Sequence, residues 1–442
     1  MEGIKRKLTS FHIIILGFLA LILIGAFLLA LPFASREGRW TSFPDALFTS
    51  TSAVCVTGLV VFDTATNWTL FGQIVILFLI QIGGIGVVTI AVSLAALSGK
   101  KIGIFSRETM KNAISAPNVG GIVRLTGFIV KGCFLIEAIG ALVMLPVFCI
   151  DFGAKGIWLA IFHSISAFCN AGFDVMGTPD GQYVSLSGYA AHPVVNIVVI
   201  LLIVIGGIGF LVWEDIIKNK WRLHRYRTQS KIVLAASAIL ILLPAIWFFF
   251  AECSDLPFGR RLAASIFQAV TPRTAGFNTI DIASLSGVGQ GIVIVLMLIG
   301  GSPGSTAGGM KTTTVAVLFA SAVAVFRKKD NAELMKRRID DATVKQAAAI
   351  LLLYVSLFLS GGMIISAVEG LPLGSCLFEA ASAVGTVGLS LGITPTLGIV
   401  SKFVLIVCMF VGRVGALTLI YAAFGGKKKQ VAKLPLDTVA VG

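Results

Sequence analysis

The chain has 442 residues, 57% of them hydrophobic and 13% charged, with a mean hydropathy of +0.96, well outside the range of a soluble globular protein. Seven cysteines (Cys55, Cys133, Cys149, Cys169, Cys253, Cys376, Cys408) without CxxC spacing, and four scattered histidines (His12, His163, His192, His224), argue against a disulfide framework and a metal centre. The net charge of +14 is carried by Lys and Arg lying between apolar runs, a placement that sets membrane orientation and argues against a nucleic-acid partner.

In chain order, Lys5, Arg6 and Lys7 precede an apolar run over 13–34. That run is too long for the apolar core of a cleaved leader and recurs later in the chain, so it reads as a retained spanning helix. The next run, 43–54, is too short to cross a bilayer and reads as a half-crossing helix. It leads through Gly58 and a polar stretch, 63–67, into a second span over 71–97. The same order returns at 122–150, 157–168 and 193–212, at 231–251, 261–270 and 291–326, and at 345–368, 374–384 and 397–424. Eight full spans and four half-crossings are expected. They fall into repeats 1–98, 120–217, 228–326 (with an irregular stretch at 300–312) and 340–426, followed by a tail at 427–442.

Each short helix ends in one motif: FTSTSAVCVTGL from Phe48, FHSISAFCNAGF from Phe162, FQAVTPRTAGFN from Phe267 and FEAASAVGTVGL from Phe378. Gly58, Gly172, Gly276 and Gly388 mark the four copies. Two spans per repeat make the repeats parallel and leave every linker on one side. Linkers and tails hold 25 of the 35 Lys and Arg, among them Arg107, Lys111, Arg124, Lys218, Lys220, Arg222, Arg225, Arg227 and Arg327. The opposite side has Arg36, Arg39, Lys155, Arg260, Arg261, Arg273 and Lys402. Both termini are therefore expected in the cytoplasm.

Irregular backbone at membrane depth persists only when buried in protein or lining a water-filled cavity. Four Gly-ended returns converging on one axis can aim carbonyl oxygens inward in place of a cation's hydration shell. Gly admits the positive φ that such a turn needs, and the C-terminal ends of the short helices favour a cation over an anion. The expected fold is an all-α integral membrane protein of four parallel helix–pore-helix–helix repeats around a central pore.

With these four motifs, and Thr271-Pro272-Arg273-Thr274-Ala275-Gly276-Phe277-Asn278 above all, the whole chain resembles the membrane subunit of the Trk/Ktr superfamily of potassium transporters. Lacking an extra pair of N-terminal spans, it looks Ktr-like. The resemblance implies a selectivity filter lined by Val56, Thr57 and Gly58, by Asn170, Ala171 and Gly172, by Thr274, Ala275 and Gly276, and by Thr386, Val387 and Gly388. It implies potassium uptake across the plasma membrane with no tightly bound cofactor, and leaves open sodium passage or sodium as an activating ion. It also implies a homodimer and a cytoplasmic ring of nucleotide-binding regulatory subunits, although anionic lipid headgroups would attract the same basic linkers.

The second spans carry Gly83-Gly84-Ile85-Gly86, Gly206-Gly207-Ile208-Gly209 and Gly412-Arg413-Val414-Gly415. Inside apolar helices these read as small residues for close packing rather than a nucleotide loop. The third copy differs: Gly300, Gly301, Ser302, Pro303, Gly304, Ser305, Thr306, Ala307, Gly308, Gly309, Met310 and Lys311 cannot hold a helix. Met310 breaks its likeness to a phosphate loop, and a flexible loop beneath the filter is expected, which the resemblance makes a gate. Arg413 is a charge with apolar flanks of nearly equal length. By resemblance it lies below the filter and acts with the loop. Glu379 is expected to hydrogen-bond behind the filter, and Glu137 has no partner legible from sequence. An alternating-access cation symporter is the alternative, disfavoured because such repeats are usually inverted. No paired carboxylates or His cluster support a membrane enzyme.

Overall fold

The computed structural model describes residues 9–97, 102–114 and 118–424. The expected tail 427–442 lies outside them, as do Lys5, Arg6, Lys7, Lys100, Lys101, Lys427, Lys428, Lys429 and Lys433. The chain opens with α1 (Ser10–Ala30), the short α2 (Phe43–Val54), a single turn α3 (Thr64–Asn67), α4 (Leu70–Ile85) and α5 (Val87–Leu97). A linker helix α6 (Ile104–Ile114) leads to α7 (Ile122–Phe152), α8 (Lys155–Phe168), α9 (Pro193–Gly207) and α10 (Phe210–Asn219). Then come α11 (Thr228–Trp247), α12 (Phe258–Val270), α13 (Gly287–Leu298) and α14 (Thr312–Phe326). A two-residue strand pair, β1 (Glu333–Leu334) with β2 (Arg337–Arg338), precedes α15 (Asp341–Glu369), α16 (Leu373–Gly385), α17 (Ile399–Val414) and α18 (Ala416–Phe424).

Four helices are long and apolar enough to cross a bilayer unaided: α1, α7, α11 with its continuation to Glu252, and α15. At 1.5 Å per residue, the 21 residues of α1 reach about 30 Å, the hydrocarbon thickness. Pro244 lies inside α11, and the helix widens into a π-turn at Phe248–Glu252. A proline removes one backbone bond and crowds the turn before it, whereas the π-turn follows Pro244 and is closed by Cys253 N donating to Phe248 O at 2.8 Å.

The short helices α2, α8, α12 and α16 have 12, 14, 13 and 13 residues. Each packs against the long helix before it: α2 on α1, α8 on α7, α12 on α11 and α16 on α15. The following inner helices reach across to the next copy, with α4 against α8, α9 against α12, α13 against α16 and α17 back against α2. That cycle closes. It buries Phe48, Phe162, Phe267 and Phe378 completely, so the core lies where the four short helices end.

The inner helices are not the uninterrupted spans that apolar length predicts. α4 and α5 meet at 92°, α9 and α10 at 99°, and α17 and α18 at 93°. In the third copy α13 and α14 are separated by residues 299–311. Three bends and one loop thus replace four of the eight expected continuous spans. The cause is local: Gly86, Gly209 and Gly415 have φ of +98°, +95° and +89°, where a helix cannot continue. One glycine amid apolar residues leaves hydropathy unchanged, which hides the break. The packing expectation does hold for the first glycine of each set. A Cβ on Gly83, Gly206 or Gly412 would overlap the carbonyl oxygen of Val54, Phe168 or Val384 at the end of a short helix.

A Cβ at Gly86 meets only Thr89 Oγ1 at 3.5 Å, so its need for glycine is conformational. Gly86→Ala should cost about 1–3 kcal/mol and lower the thermal midpoint of the detergent-solubilised protein by a few degrees. Gly259→Ala, in open space on α12, should not lower it. Equal midpoints for the two variants would show that the bend does not depend on positive φ.

Candidate functional site

The backbone leaving each short helix follows one course. Val56, Asn170, Thr274 and Thr386 have φ of +51°, +56°, +72° and +51°, and two residues later Gly58, Gly172, Gly276 and Gly388 have +88°, +67°, +79° and +92°. Asparagine tolerates this region, but a β-branched residue there is an outlier costing about 1–3 kcal/mol. Three of the four non-glycine positions are β-branched, so the surrounding packing must impose the conformation.

The imposition is visible four residues after each Phe. Ser52 Oγ accepts from Gly58 N at 3.1 Å and Ser382 Oγ from Gly388 N at 3.0 Å. Ser166 Oγ donates to Phe173 O at 2.7 Å, and Thr271 Oγ1 donates to Phe277 O. One hydroxyl in each short helix, or for Thr271 directly after it, thus braces the far end of its own return. The residue directly after Phe is Thr49, His163, Gln268 or Glu379, all buried. Glu379 accepts from Ser390 Oγ (2.5 Å), Leu391 N (3.1 Å) and Thr394 Oγ1 (2.7 Å), in accord with a structural hydrogen-bonding role behind the return.

The four returns meet. A Cβ on Gly58 would lie 3.1 Å from Gly172 Cα, one on Gly172 3.0 Å from Gly276 Cα, and one on Gly388 2.9 Å from Gly58 Cα. One on Gly276 would overlap Val387 O. Glycine is therefore required for space as well as for φ, a reason invisible in any one motif. All twelve residues named as filter lining are buried except Gly388, which is half-buried. Asn170 and Thr274 join neighbouring returns by a 3.1 Å side-chain hydrogen bond.

A cavity of about 420 Å³ opens on one side of this ring, bordered by all four marker glycines and by Asp63, Asp174 and Asp281, with no Lys or Arg among its described lining residues. On the other side a cavity of about 230 Å³ is bordered by Gly304, Ala307, Met310, Lys311 and Arg413, with no carboxylate among its described lining residues. The two mouths have opposite electrostatic character. Low-dielectric walls focus such fields, so the acidic cavity favours a cation and the basic one disfavours it.

The stretch 300–312 is tied down rather than loose. Gly300 N donates to Met310 O (2.8 Å), Ser302 N to Gly207 O (3.0 Å), Thr306 N to Gly206 O (3.2 Å) and Gly309 N to Gly412 O (3.1 Å). Thr306 Oγ1 donates to Phe168 O at 3.1 Å, and Phe210 N donates to Gly304 O at 2.7 Å. Gly308 lies against the side chain of Thr386, on the inner side of the fourth return. Small residues exclude a helix, as expected, but they admit these close backbone contacts, and flexibility does not follow from composition alone. Lys311 Nζ donates to Ala307 O (2.7 Å) and Gly308 O (3.3 Å). Gly301 and Pro303 belong to the same segment, as does Ser305, whose hydroxyl donates to Ser302 O at 2.7 Å.

Arg413 is not at the middle of a span. It stands two residues before the bend at Gly415, and its guanidinium donates to Thr306 O and Gly83 O and, at 2.8 Å, to Gly84 O. One side chain thus joins the loop of the third repeat to the inner helix of the first. Carbonyl oxygens surround it where a carboxylate partner would be sought.

Sequence reading missed the ties between repeats. Gln81 Nε2 donates to both oxygens of Glu137, at 3.0 and 2.9 Å, supplying the partner that Glu137 lacked. Lys402 pairs with Asp45 at 2.7 Å, joining α17 to α2. Buried polar side chains mark such residues, but the register between distant helices is needed to pair them.

The family model described as TrkH, a cation transport protein, matches residues 5–427. The chain is 40% identical to the potassium/sodium uptake protein NtpJ of Enterococcus hirae, covering 100% of this chain and 99% of that one. It is 38% identical to the Ktr system potassium uptake protein B of Bacillus subtilis, covering 99% and 97%. The crystal structure of the potassium transporter TrkH from Vibrio parahaemolyticus superposes with a TM-score of 0.74 over 94% of this chain and 85% of that one, at 20% identity, a likeness of fold. The family model and these relatives show that the chain belongs to the TrkH cation transport family, a family of multi-pass membrane transporters rather than enzymes.

Proposed function

We propose that this protein takes up potassium across the plasma membrane through the ring of four glycine-ended returns. The closed cycle of contacts between those returns carries the reading. Alternating positive φ at successive positions turns neighbouring carbonyls toward one side, the arrangement that replaces a potassium ion's hydration shell. The filter then comprises 56–58, 170–172, 274–276 and 386–388. Repeats 1–98, 120–217, 228–326 and 340–426 each supply one quarter. The acidic cavity is the outer entrance, and both termini are cytoplasmic, in keeping with the basic linkers.

In this reading the loop 300–312 closes the inner side, with Lys311 and Arg413 adding positive charge to the path. An ion about 8 Å from Arg413 at an effective dielectric near 20 would be repelled by about 2 kcal/mol, roughly a 30-fold barrier. The names of the relatives support potassium as substrate, and that of the Enterococcus hirae protein supports sodium as a second or activating ion. The Ktr system name supports a separate cytoplasmic regulatory subunit, assigned here as a nucleotide-binding ring on a homodimer.

Three measurements test these assignments, all in liposomes holding the purified protein. Gly276→Ser should lower potassium-over-sodium selectivity by roughly tenfold, the equivalent of about 1.4 kcal/mol lost at one ring position. An unchanged permeability ratio would remove Gly276 from the filter. Deletion of 302–309 removes the segment whose Ser302 and Thr306 amides bond Gly207 O and Gly206 O. It should raise flux without altering selectivity, and wild-type flux would refute the gate. Arg413→Gln should raise potassium flux by up to about 30-fold; a decrease with retained protein yield would make Arg413 a structural tie only.

A further inference from the structure

The turn between α10 and α11 holds a tryptophan almost wholly in the open. Trp221 is 96% exposed, with Ile217 at 61% and Leu223 at 60%. Slackness does not account for this. Tyr226, itself buried, donates its hydroxyl to Lys220 O at 2.5 Å, and buried Asp215 accepts from Arg227 N (3.0 Å) and Ser230 Oγ (2.6 Å). The backbone is closed at both ends of the turn, so the indole is held outward.

Six basic residues lie within ten positions of it, Lys218, Lys220, Arg222, Arg225, Arg227 and Lys231, and the first four border one surface hollow with Trp221. Glu214 and Asp215 are the acids. Glu214 pairs with Lys218 (2.5 Å) and Arg227 (2.7 Å), and Asp215 lies 3.7 Å from the Arg227 side chain. Arg222 and Arg225 form no ion pair among the described residues. Beside the turn is a cleft of about 550 Å³ whose wall combines Arg124, Lys218 and Arg227 with Leu125, Phe128 and Ile217, and includes Glu214.

The position of this surface identifies what covers it. α7 begins at Ile122 and α11 at Thr228, and both are membrane spans. Arg124 and Arg227 therefore stand at the first turns of two spans, at the level of the lipid headgroups. Aromatic residues with one wet edge concentrate at that level, and clustered cations there attract anionic lipid.

We propose that residues 217–227 form an interfacial anchor for anionic phospholipid. Trp221 and Leu223 enter the acyl boundary, Arg222 and Arg225 take headgroup phosphates, and the Arg124 cleft holds one lipid between α7 and α10. This assignment rests on the spans alone and is independent of the filter and the gate.

The test is fluorescence quenching of the full-length protein in vesicles of phosphatidylcholine mixed with phosphatidylglycerol, with bromine on the acyl chains of one lipid at a time. Trp221 is one of six tryptophans, so its emission is the difference between the wild type and Trp221→Phe. Brominated phosphatidylglycerol should quench that difference at a lower mole fraction than brominated phosphatidylcholine. Combining Arg124→Gln with Arg222→Gln should reduce the preference by about fivefold per charge removed, roughly 25-fold in all. Unchanged emission of the other five tryptophans reports an intact fold. Equal quenching by the two lipids would overturn the anionic preference. No quenching by either would overturn the anchor and assign the surface to a protein partner.

Discussion

The structure depends on one constraint: four segments of backbone buried in protein must leave helical geometry and still satisfy their polar groups. Each solves this by bonding back onto its own short helix. Thr57 N reaches Ser52 O, Ala171 N reaches Ser166 O, Gly276 N reaches Thr271 O and Val387 N reaches Ser382 O. The same Ser or Thr then braces the outer end with its hydroxyl. The remaining carbonyl oxygens need a donor or a positive charge, and in the proposed reading a desolvated cation supplies it. Burial, strain at the β-branched positions and the demand for glycine all follow from that arrangement.

Below the ring the same chemistry is used in a second way. Carbonyl oxygens of Thr306, Gly83 and Gly84 receive Arg413, and those of Ala307 and Gly308 receive Lys311. Tethered cationic side chains therefore occupy backbone oxygens on the inner side. In the proposed reading they substitute for the transported ion while the loop is in place. Opening then requires those contacts to break together, because one guanidinium holds two repeats at once.

Much of this was legible in the sequence because apolar length, charge asymmetry and a repeated motif are properties of consecutive residues. Four Gly-ended returns after short apolar helices, and a helix-breaking run at 300–312, could be read directly. The bends at Gly86, Gly209 and Gly415 could not, since a hydropathy average passes over one residue of positive φ. Neither could the tied state of the loop, whose bonds go to Gly206, Gly207 and Gly412 on other helices. Gln81 with Glu137, and Asp45 with Lys402, are 56 and 357 positions apart. Their pairing depends on the register of separate repeats, which no local pattern encodes.

Joining four diverged copies in one chain also changes what each can do. In an assembly of identical subunits, a loop replacing a bend would appear four times, as would any charge beneath the ring. Among the described residues the loop occurs only in the third copy, Arg413 only in the fourth and the Asn170–Thr274 bond only between the second and third. The common backbone course is kept by features present in every copy: the Phe, the bracing hydroxyl and the terminal glycine. In the proposed reading the third copy's loop and the fourth copy's Arg413 can therefore specialise in obstruction while the ring above keeps its geometry. A substitution confined to 300–312 still reaches the second copy through Gly206 and Gly207 and the fourth through Gly412, so in the proposed reading closure and selection are written in different residues yet coupled through these contacts.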